Sequence, residues 1–197
     1  MDFQEAIYTQ FAQSFEAQQQ ALESLPPYIE HAARVIFASI AGGGKVVCVG
    51  NSTGAHLAQY FSTLMLDRMD RERPGLPAIN LSGDAAALMS ISHNDSYHDV
   101  YSKPITAIGN PGDVLFVVAN KGNTSPIIQA IQAAHERKMS IVALTSPEAK
   151  NISSLTSRDD TEIKVNLLGT ARVHECQITV VHTIIDLIER QLFGYDE

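Results

Sequence analysis

Short, mostly apolar runs alternate with longer amphipathic segments over most of the chain. The runs predict strands at 45–49, 78–81, 113–119, 140–144 and 162–165. The segments between and after them predict helices at 55–67, 84–92, 97–108, 126–138 and 171–193. Short apolar strands that alternate with helices are typical of a parallel sheet covered on both faces. The pattern therefore predicts a three-layer, doubly wound α/β fold with five parallel strands.

A helical pair precedes the first predicted strand. The first helix carries one stripe of large apolar residues spaced four apart: Phe3, Ile7, Phe11 and Phe15. This spacing places all of them on one face. A second helix follows the prolines at 26–27 and ends at the glycines 42–44, which are a strong helix stop. The stripe needs a surface to cover, which is either its own small domain or a neighbouring subunit.

The composition is that of one globular domain. The chain has 197 residues, of which 45% are hydrophobic and 18% charged, and this suits a single core. The net charge is −8 and no basic patch is visible, which argues against direct nucleic-acid binding. The densest charged run, at 67–73, mixes both signs, and we interpret it as a solvated helix end.

The N-terminus and the cysteines favour a cytoplasmic protein without membrane contact. No apolar stretch approaches the ~20 residues that span a bilayer. Residues 1–5 lack the apolar core of a signal peptide. Cys48 and Cys176 both lie in apolar patterns, and two such residues do not make a disulfide framework. We expect both thiols to be reduced and buried.

Two strand-to-helix loops carry the candidate binding chemistry. Residues 50–55 read Gly-Asn-Ser-Thr-Gly-Ala, and residues 120–126 read Asn-Lys-Gly-Asn-Thr-Ser-Pro. Ligands of parallel sheets bind at the carboxyl ends of strands, where helix N-termini favour a phosphate. In a purely structural alternative, Ser125 only caps a helix and the loop glycines only serve tight turns. Two such loops together favour an anion-facing cleft, with these candidate ligands: Asn51, Ser52, Thr53, Lys121, Asn123, Thr124 and Ser125.

Six blocks of sequence resemble the sugar isomerase (SIS) family in their order and spacing. They lie at 42–61, 71–84, 93–103, 112–131, 140–145 and 171–189. The resemblance implies a five-stranded parallel sheet at 34–197, preceded by an N-terminal helical segment at 1–33 that packs in a homotetramer. Within the family the chain is similar to two groups. One is the phosphoheptose isomerases, and the other is the non-catalytic DiaA-like proteins that bind the replication initiator DnaA.

Positions that serve catalysis in those isomerases differ in part here. The isomerases carry a His and a Glu on the helix after the first loop, where this chain has Tyr60 and Leu64. On the last helix they carry a Gln and a His, where this chain has His174 and His182. Leucine cannot move a proton between sugar carbons, and neither Tyr60 nor Leu64 is an ordinary zinc ligand.

The two histidines of the last helix are weak candidates for a metal site. They are eight residues apart, and eight residues of helix rise about 12 Å. A shared ion would need an unwound helix start or a second subunit. His182 is more simply explained as a hydrogen-bonded core histidine. We expect no metal at His174 and His182.

The binding loops also depart from the family pattern. The second loop has lost two hydroxyl residues and gained the cation of Lys121, and Ser52 and Thr53 replace glycines of the first loop. Side chains thus stand where glycine allows close backbone approach. By resemblance, Asn94, Asp95 and His174 join the ligand set. We expect a vestigial phosphosugar-binding cleft.

These departures favour a non-catalytic, DiaA-like homotetramer that assists replication initiation by binding DnaA, without a cofactor. One alternative is a phosphoheptose isomerase, which converts sedoheptulose 7-phosphate to D-glycero-D-manno-heptose 7-phosphate and for which zinc would be possible. Another is a phosphosugar-sensing binding protein. Leu192 and Phe193 lie in the last helical turn, and we predict a protein-interaction surface there because exposed apolar patches mark such surfaces. In the alternative, Phe193 folds back onto the sheet.

Overall fold

One parallel sheet lies at the centre of the molecule. The computed structural model describes residues 2–120, 125–149 and 151–194. Within these ranges the sheet has five strands: β1 Val46–Gly50, β2 Ala78–Asn80, β3 Val114–Ala119, β4 Ser140–Thr145 and β5 Thr161–Lys164. Their order is β2-β1-β3-β4-β5, and every neighbouring pair is parallel. The prediction of a five-stranded parallel sheet is confirmed, and each strand begins and ends within one residue of its predicted bounds.

Helices cover both faces of this sheet. They are α1 Phe3–Ser24, α2 Pro26–Ala41, α3 Thr53–Leu66, α4 Ala85–Asn94, α5 Ser102–Ile108, α6 Ser125–Glu136 and α7 Thr170–Phe193. Successive strand residues point to opposite faces, so Cys48 and Phe116 pack with α2, α3 and α7, whereas Val47 and Leu115 pack with α5 and α6. Phe61 of α3 stacks on Phe116 with ring centroids 4.1 Å apart. The predicted three-layer arrangement is confirmed.

The helix predicted at 97–108 is divided into two pieces. Tyr97–Asp99 forms a short 3₁₀ turn, and α5 begins afresh at Ser102. Pro104 explains the division, because a helix continuous from residue 97 would place this proline in its interior, where its missing N–H breaks a hydrogen bond. Starting at Ser102 moves Pro104 into the first turn, where helix N–H groups have no partner in any case.

The topology creates a crevice at one edge of the sheet. From β1 the chain crosses to β2 on one side, and β3 lies on the other side of β1. The strand order therefore reverses between β1 and β3, and ligands of such sheets bind outside the carboxyl ends at that point. Asn51 and Ser52, which follow β1, lie there, and β3 ends there at Ala119.

The predicted apolar stripe of α1 faces outward. Phe3, Phe11 and Phe15 are each 75% exposed, and Ile7 is 56% exposed. Within the described part of α1, Ala17 is the one buried residue. The predicted division after residue 33 falls inside α2, whose Ala32 and Ile36 are fully buried in the core. That division stays a prediction.

The interpretation of residues 67–73 as a solvated helix end is wrong at Arg73. Its side chain is 1% exposed and pairs with Glu189 of α7, Nε to Oε1 2.7 Å. Its terminal nitrogens donate to the carbonyl oxygens of Leu64, Met65, Asp67 and Pro74. The last carbonyls of a helix lack intrahelical partners, and Arg73 supplies donors at the end of α3.

Both cysteines are free and buried, as predicted. Burial in the apolar core raises the pKa of the Cys48 thiol far above its usual range. Burial also raises the pKa of Cys176, with a smaller contribution from the negative charge of Glu175. Across the part of the chain that the structure describes, no helix combines the length and apolar character needed to cross a bilayer.

Candidate functional site

The loop after β1 turns sharply into α3. Ser52 has a φ of +52°, in a region that side chains rarely adopt. Gly54 follows one residue into the helix, and a Cβ there would lie 2.6 Å from the carbonyl oxygen of Val118 on β3. Gly50 is equally restricted, because its Cβ would lie 2.5 Å from the backbone of Gly54. Gly54 lets the start of α3 approach β3, Gly50 lets the start of α3 approach the end of β1, and Ser52 makes the turn in spite of its side chain.

Polar contacts hold the end of β1 in place. The hydroxyl of Tyr101 donates to the carbonyl oxygen of Gly50 at 2.7 Å. The Gly50 N–H donates to the hydroxyl oxygen of Ser82 at 2.8 Å. Burial raises the pKa of Tyr101, opposed by the Ser82 hydrogen bond. Tyr101 therefore remains a neutral donor at physiological pH and fixes the strand end that precedes the loop.

Helices α3 and α7 meet beside this loop and border an open cavity of about 460 Å³. Its walls are formed by Thr53, His56, Leu57, Tyr60, His174 and Ile178, with the buried Gln177 beneath them. The hydroxyl of Thr53 and Nε2 of His174 share a hydrogen bond of 3.1 Å. Two turns further along, the hydroxyl of Tyr60 and Nε2 of His182 share one of 2.9 Å. The cavity therefore has titratable groups on both helices.

A smaller cavity of about 160 Å³ adjoins the carboxyl ends of β3 and β4. Its lining includes Asn120, Ser146, Glu148, Gly169 and Thr170, and also His174. His174 therefore lines both cavities. The smaller cavity includes the first turn of α7, whose N–H groups lack intrahelical partners and favour an anion.

A buried amide pair joins the end of β3 to α7. The Asn120 amide nitrogen donates to Oε1 of Gln177 at 2.9 Å, and the Gln177 nitrogen donates to Oδ1 of Asn120 at 2.6 Å. Gln177 is 0% exposed and Asn120 is 8% exposed. Sequence reasoning missed Gln177. The available signal was a lone polar residue between Val173 and Val180 on the apolar face of α7.

The structure brings some predicted ligand residues together and not others. Thr53 and His174 line the same cavity. Asn51 and Ser52 lie in the loop just before Thr53, and Ser125 is the first residue of α6. Asn94 and Asp95 end α4, where both are exposed and Asp95 pairs with Lys103. Neither lines the two cavities beside His174. Three predicted ligands, Lys121, Asn123 and Thr124, lie outside the described residues.

The predicted interaction residues at the chain end differ in their surroundings. Leu192 is partly buried and packs against the core. Phe193 is 38% exposed, and the guanidinium of Arg71 lies 5.7 Å from its ring centroid. Arg71 also donates to the carbonyl oxygens of Phe193 and Gly194. A protein-interaction role for these residues stays a prediction.

The zinc ion that the resemblance implies does not fit the residues present. Leu64 offers no donor atom and is 8% exposed, inside the core. The hydroxyl of Tyr60 and Nε2 of His182 are already hydrogen-bonded to each other across the two helices. Among the described residues, no three His, Cys, Asp or Glu side chains are grouped as metal ligands. Zinc sites draw three or four protein ligands from such residues, so no step at this site is assigned to a metal.

Comparison with known proteins identifies relatives over the full length of the chain. The SIS domain family matches residues 10–146. A phosphoheptose isomerase of Chromohalobacter salexigens is 43% identical over 197 residues, covering 100% of both chains. One of Shewanella denitrificans is 41% identical over 193 residues, covering 98% of both.

Solved structures give the same result. A phosphoheptose isomerase from Francisella tularensis superposes with a TM-score of 0.90 at 30% identity, covering 96% of this chain and 100% of that one. One from Neisseria gonorrhoeae superposes with a TM-score of 0.88 at 32% identity, covering 95% and 99%. The predicted SIS fold is confirmed.

These relatives correct our functional interpretation. We expected a non-catalytic, DiaA-like protein that binds DnaA, because Tyr60 and Leu64 replace the isomerases' His and Glu. The curated relatives at 40–43% identity are named phosphoheptose isomerases instead, and they favour the isomerase alternative. Two side chains in one site were too narrow a basis for excluding an activity. The match over residues 10–146 and the full-length relatives place this chain in the SIS domain family.

Proposed function

We propose that this protein is a phosphosugar isomerase of the phosphoheptose isomerase type. The observation that carries the proposal is the position of His174. It lines both the larger cavity between α3 and α7 and the smaller cavity at the strand ends. His174 therefore lies between the carboxyl ends of the strands and the space between α3 and α7. Relatives named phosphoheptose isomerases over the whole chain support the same substrate class.

The phosphate group is proposed to lie at the carboxyl ends of β1 and β3. Helices α3 and α6 begin there, at Thr53 and Ser125, and the positive end of a helix dipole suits an anion. The sugar then extends along His174 into the larger cavity. A volume of about 460 Å³ lies within the range of small-molecule sites.

Isomerisation of a sugar phosphate moves a proton between adjacent carbons, so it needs a side chain that takes and returns protons. Imidazole serves this role most often at physiological pH. His174 is held by Thr53 at 3.1 Å, which fixes the ring against the cavity wall. The isomerase pattern's Glu is replaced here by Leu64, which lies in the core, and His174 is the proposed proton-transfer group at the larger cavity.

The test is turnover of sedoheptulose 7-phosphate, followed by NMR of the heptose anomers, with binding measured by calorimetry. We expect conversion by the wild type, and the same rate after chelator treatment. His174→Ala should lose conversion. His93→Ala, on an exposed histidine at the end of α4, is the matched control and should keep it. Absence of both binding and conversion in the wild type would contradict the proposal.

A second candidate, a phosphosugar-sensing binding protein, is favoured by Leu64 alone. A leucine that is 8% exposed leaves that part of α3 without a carboxylate, and acid–base help is typically worth ~10²–10⁴-fold in rate. A sensor would bind sedoheptulose 7-phosphate and melt at a higher temperature with it, yet leave it unconverted. Calorimetry together with the NMR assay separates the two candidates.

We further propose that the protein assembles as a homo-oligomer, a tetramer, through α1. Three phenylalanines on one helix face are each 75% exposed. A contiguous apolar surface of this kind marks an interaction site. Its position on the N-terminal helix leaves the cleft at the strand ends uncovered.

A further inference from the structure

The larger cavity contains a paired phenol and imidazole. The hydroxyl of Tyr60 and Nε2 of His182 lie 2.9 Å apart, and their rings meet edge to face with centroids at 5.7 Å. Tyr60 is 39% exposed and lines the cavity. His182 does not line it. The imidazole therefore holds the phenol by a hydrogen bond, and the phenol lines the ligand space.

His174 faces the same cavity from α7. It lies two turns before His182 on that helix, and Thr53 holds its Nε2. The cavity is thus lined by an imidazole from α7 and a phenol from α3, each hydrogen-bonded to a residue of the facing helix. Leu64, one turn beyond Tyr60 on α3, has no group that can take or give a proton.

We propose that His174 and Tyr60 divide the proton transfers of the isomerisation, with His182 as the residue that positions Tyr60. This inference rests on the proposed function. His174 takes the proton from the carbon beside the carbonyl group, and the C–H electron pair becomes the double bond of an enediol. Tyr60 gives its phenolic proton to the carbonyl oxygen.

The second half of the reaction returns both protons. His174 delivers its proton to the former carbonyl carbon. Tyr60 recovers a proton from the hydroxyl of the neighbouring carbon, which becomes the new carbonyl group. Atoms and electrons balance, and no oxidant, reductant or metal is consumed. His182 keeps its hydrogen bond to the oxygen of Tyr60 while that side chain is deprotonated.

Kinetics in D₂O test this assignment of the two proton-transfer roles. Tyr60→Phe should lower kcat by about 10²-fold or more, which is the typical size of acid–base help, and should leave KM little changed. His174→Ala should abolish incorporation of solvent deuterium at the substrate carbons. His182→Ala should lower kcat by less than Tyr60→Phe does. His182→Gln, which keeps a hydrogen-bonding group, should recover part of that loss.

Matched controls separate chemistry from folding. Tyr28→Phe removes a phenol from an exposed tyrosine of α2 and should leave kcat unchanged. Calorimetric binding of sedoheptulose 7-phosphate by each variant shows that the cleft is intact. His56 also lines the cavity, so His56→Ala is assayed in parallel. Loss of deuterium incorporation in His56→Ala but not in His174→Ala would overturn the assignment.

The outcomes separate this inference from the proposed function. If the wild type converts sedoheptulose 7-phosphate and Tyr60→Phe keeps the full kcat, the inference fails and the proposed function stands. If the wild type neither converts the sugar nor exchanges its carbon protons, both fail. A kcat that falls in Tyr60→Phe, with deuterium incorporation lost in His174→Ala, supports the division.

Discussion

Arg73 and Glu189 form an ion pair, Nε to Oε1 2.7 Å, with side chains that are only 1% and 6% exposed. The pair joins the segment after α3 to α7. The same guanidinium donates to the carbonyl oxygens of Leu64 and Met65 near the end of α3. Because α3 and α7 form the walls of the larger cavity, this contact helps to set the distance between them.

Removing one partner of this pair should be costly. Arg73→Ala leaves the carboxylate of Glu189 buried without its cation, and breaking a buried pair this way typically costs about 3–5 kcal/mol. Urea unfolding at a fixed protein concentration measures the loss in the free energy of unfolding. Arg68→Ala is the matched control, because its pair with Glu72 is exposed and such pairs contribute about 0–1 kcal/mol. Equal losses in the two variants would contradict the structural role of Arg73.

The amide pair of Asn120 and Gln177 should contribute to stability for a related reason. Gln177→Leu removes both hydrogen bonds to Asn120 and leaves a buried amide unsatisfied, which costs about 1–3 kcal/mol. Asn120→Leu together with Gln177→Leu removes the orphaned group as well, and should recover part of that loss. Denaturant unfolding of the three proteins checks this. If the double variant has a lower free energy of unfolding than Gln177→Leu, removing Asn120 has brought no recovery. That result would show that the two amides are not coupled.

The sequence predicted the sheet well because the strand signal is local. Each strand is a short apolar run that contacts helices on both faces, so its own residues report its burial. The buried polar contacts gave no such signal. Asn120 and Gln177 are 57 residues apart, and Arg73 and Glu189 are 116 apart. A lone amide or a charged run looks the same in a sequence whether its partner is water or a distant side chain.

The candidate site was predicted in outline and not in detail. Placing Thr53 in the cleft follows from parallel-sheet topology, in which ligands bind at strand ends, whereas His174 was assigned by resemblance. The hydrogen bond between Tyr60 and His182 depends on how α3 packs against α7, which local patterns do not specify. Asn94 and Asp95 were assigned by resemblance alone, and they lie apart from both cavities.

Ser52 should be a point of backbone strain. Its φ of +52° and ψ of −128° fall in a sparsely populated region that typically costs a residue with a side chain roughly 1–3 kcal/mol, whereas glycine adopts it readily. Ser52→Gly should therefore raise the free energy of unfolding by up to about 1 kcal/mol, since the freer unfolded chain offsets part of the gain. Thermal and urea unfolding measure it. Ser125→Gly, at the start of α6, makes the same substitution at another helix start, and its free energy of unfolding is measured for comparison. A Ser52→Gly protein less stable than wild type would mean that the serine side chain contributes more than its strain costs.

Asp160 should make stability depend on acid pH. Burial pushes the pKa of this carboxyl up, but hydrogen bonds from Ser157, His135 and the Ile141 N–H outweigh it, and the pKa lies below its usual value. A carboxyl with a lowered pKa stabilises the fold fully above its unfolded pKa of about 3.9. That contribution is lost as the pH falls through the folded value.

Comparison with Asp160→Asn isolates this contribution. The wild type should exceed the variant in free energy of unfolding at neutral pH, and the difference should shrink as the pH falls below about 4. Asp159→Asn, at the neighbouring exposed carboxylate, is the control and should track the wild type. A difference that stays constant across this pH range would rule out the linkage.

The outward stripe of α1 should hold the assembly together. Phe11→Ser with Phe15→Ser replaces two side chains that are each 75% exposed, so the fold of one chain should lose little. Burying such rings in a partner removes apolar surface from water at roughly 25 cal/mol per Å², and that gain disappears in the variant. Light scattering should report a mass lower than that of the wild type, with helix content unchanged by circular dichroism. Gln13→Ser, an exposed change elsewhere on α1, should keep the wild-type mass. An unchanged mass in the double variant would mean that the stripe is not the subunit contact.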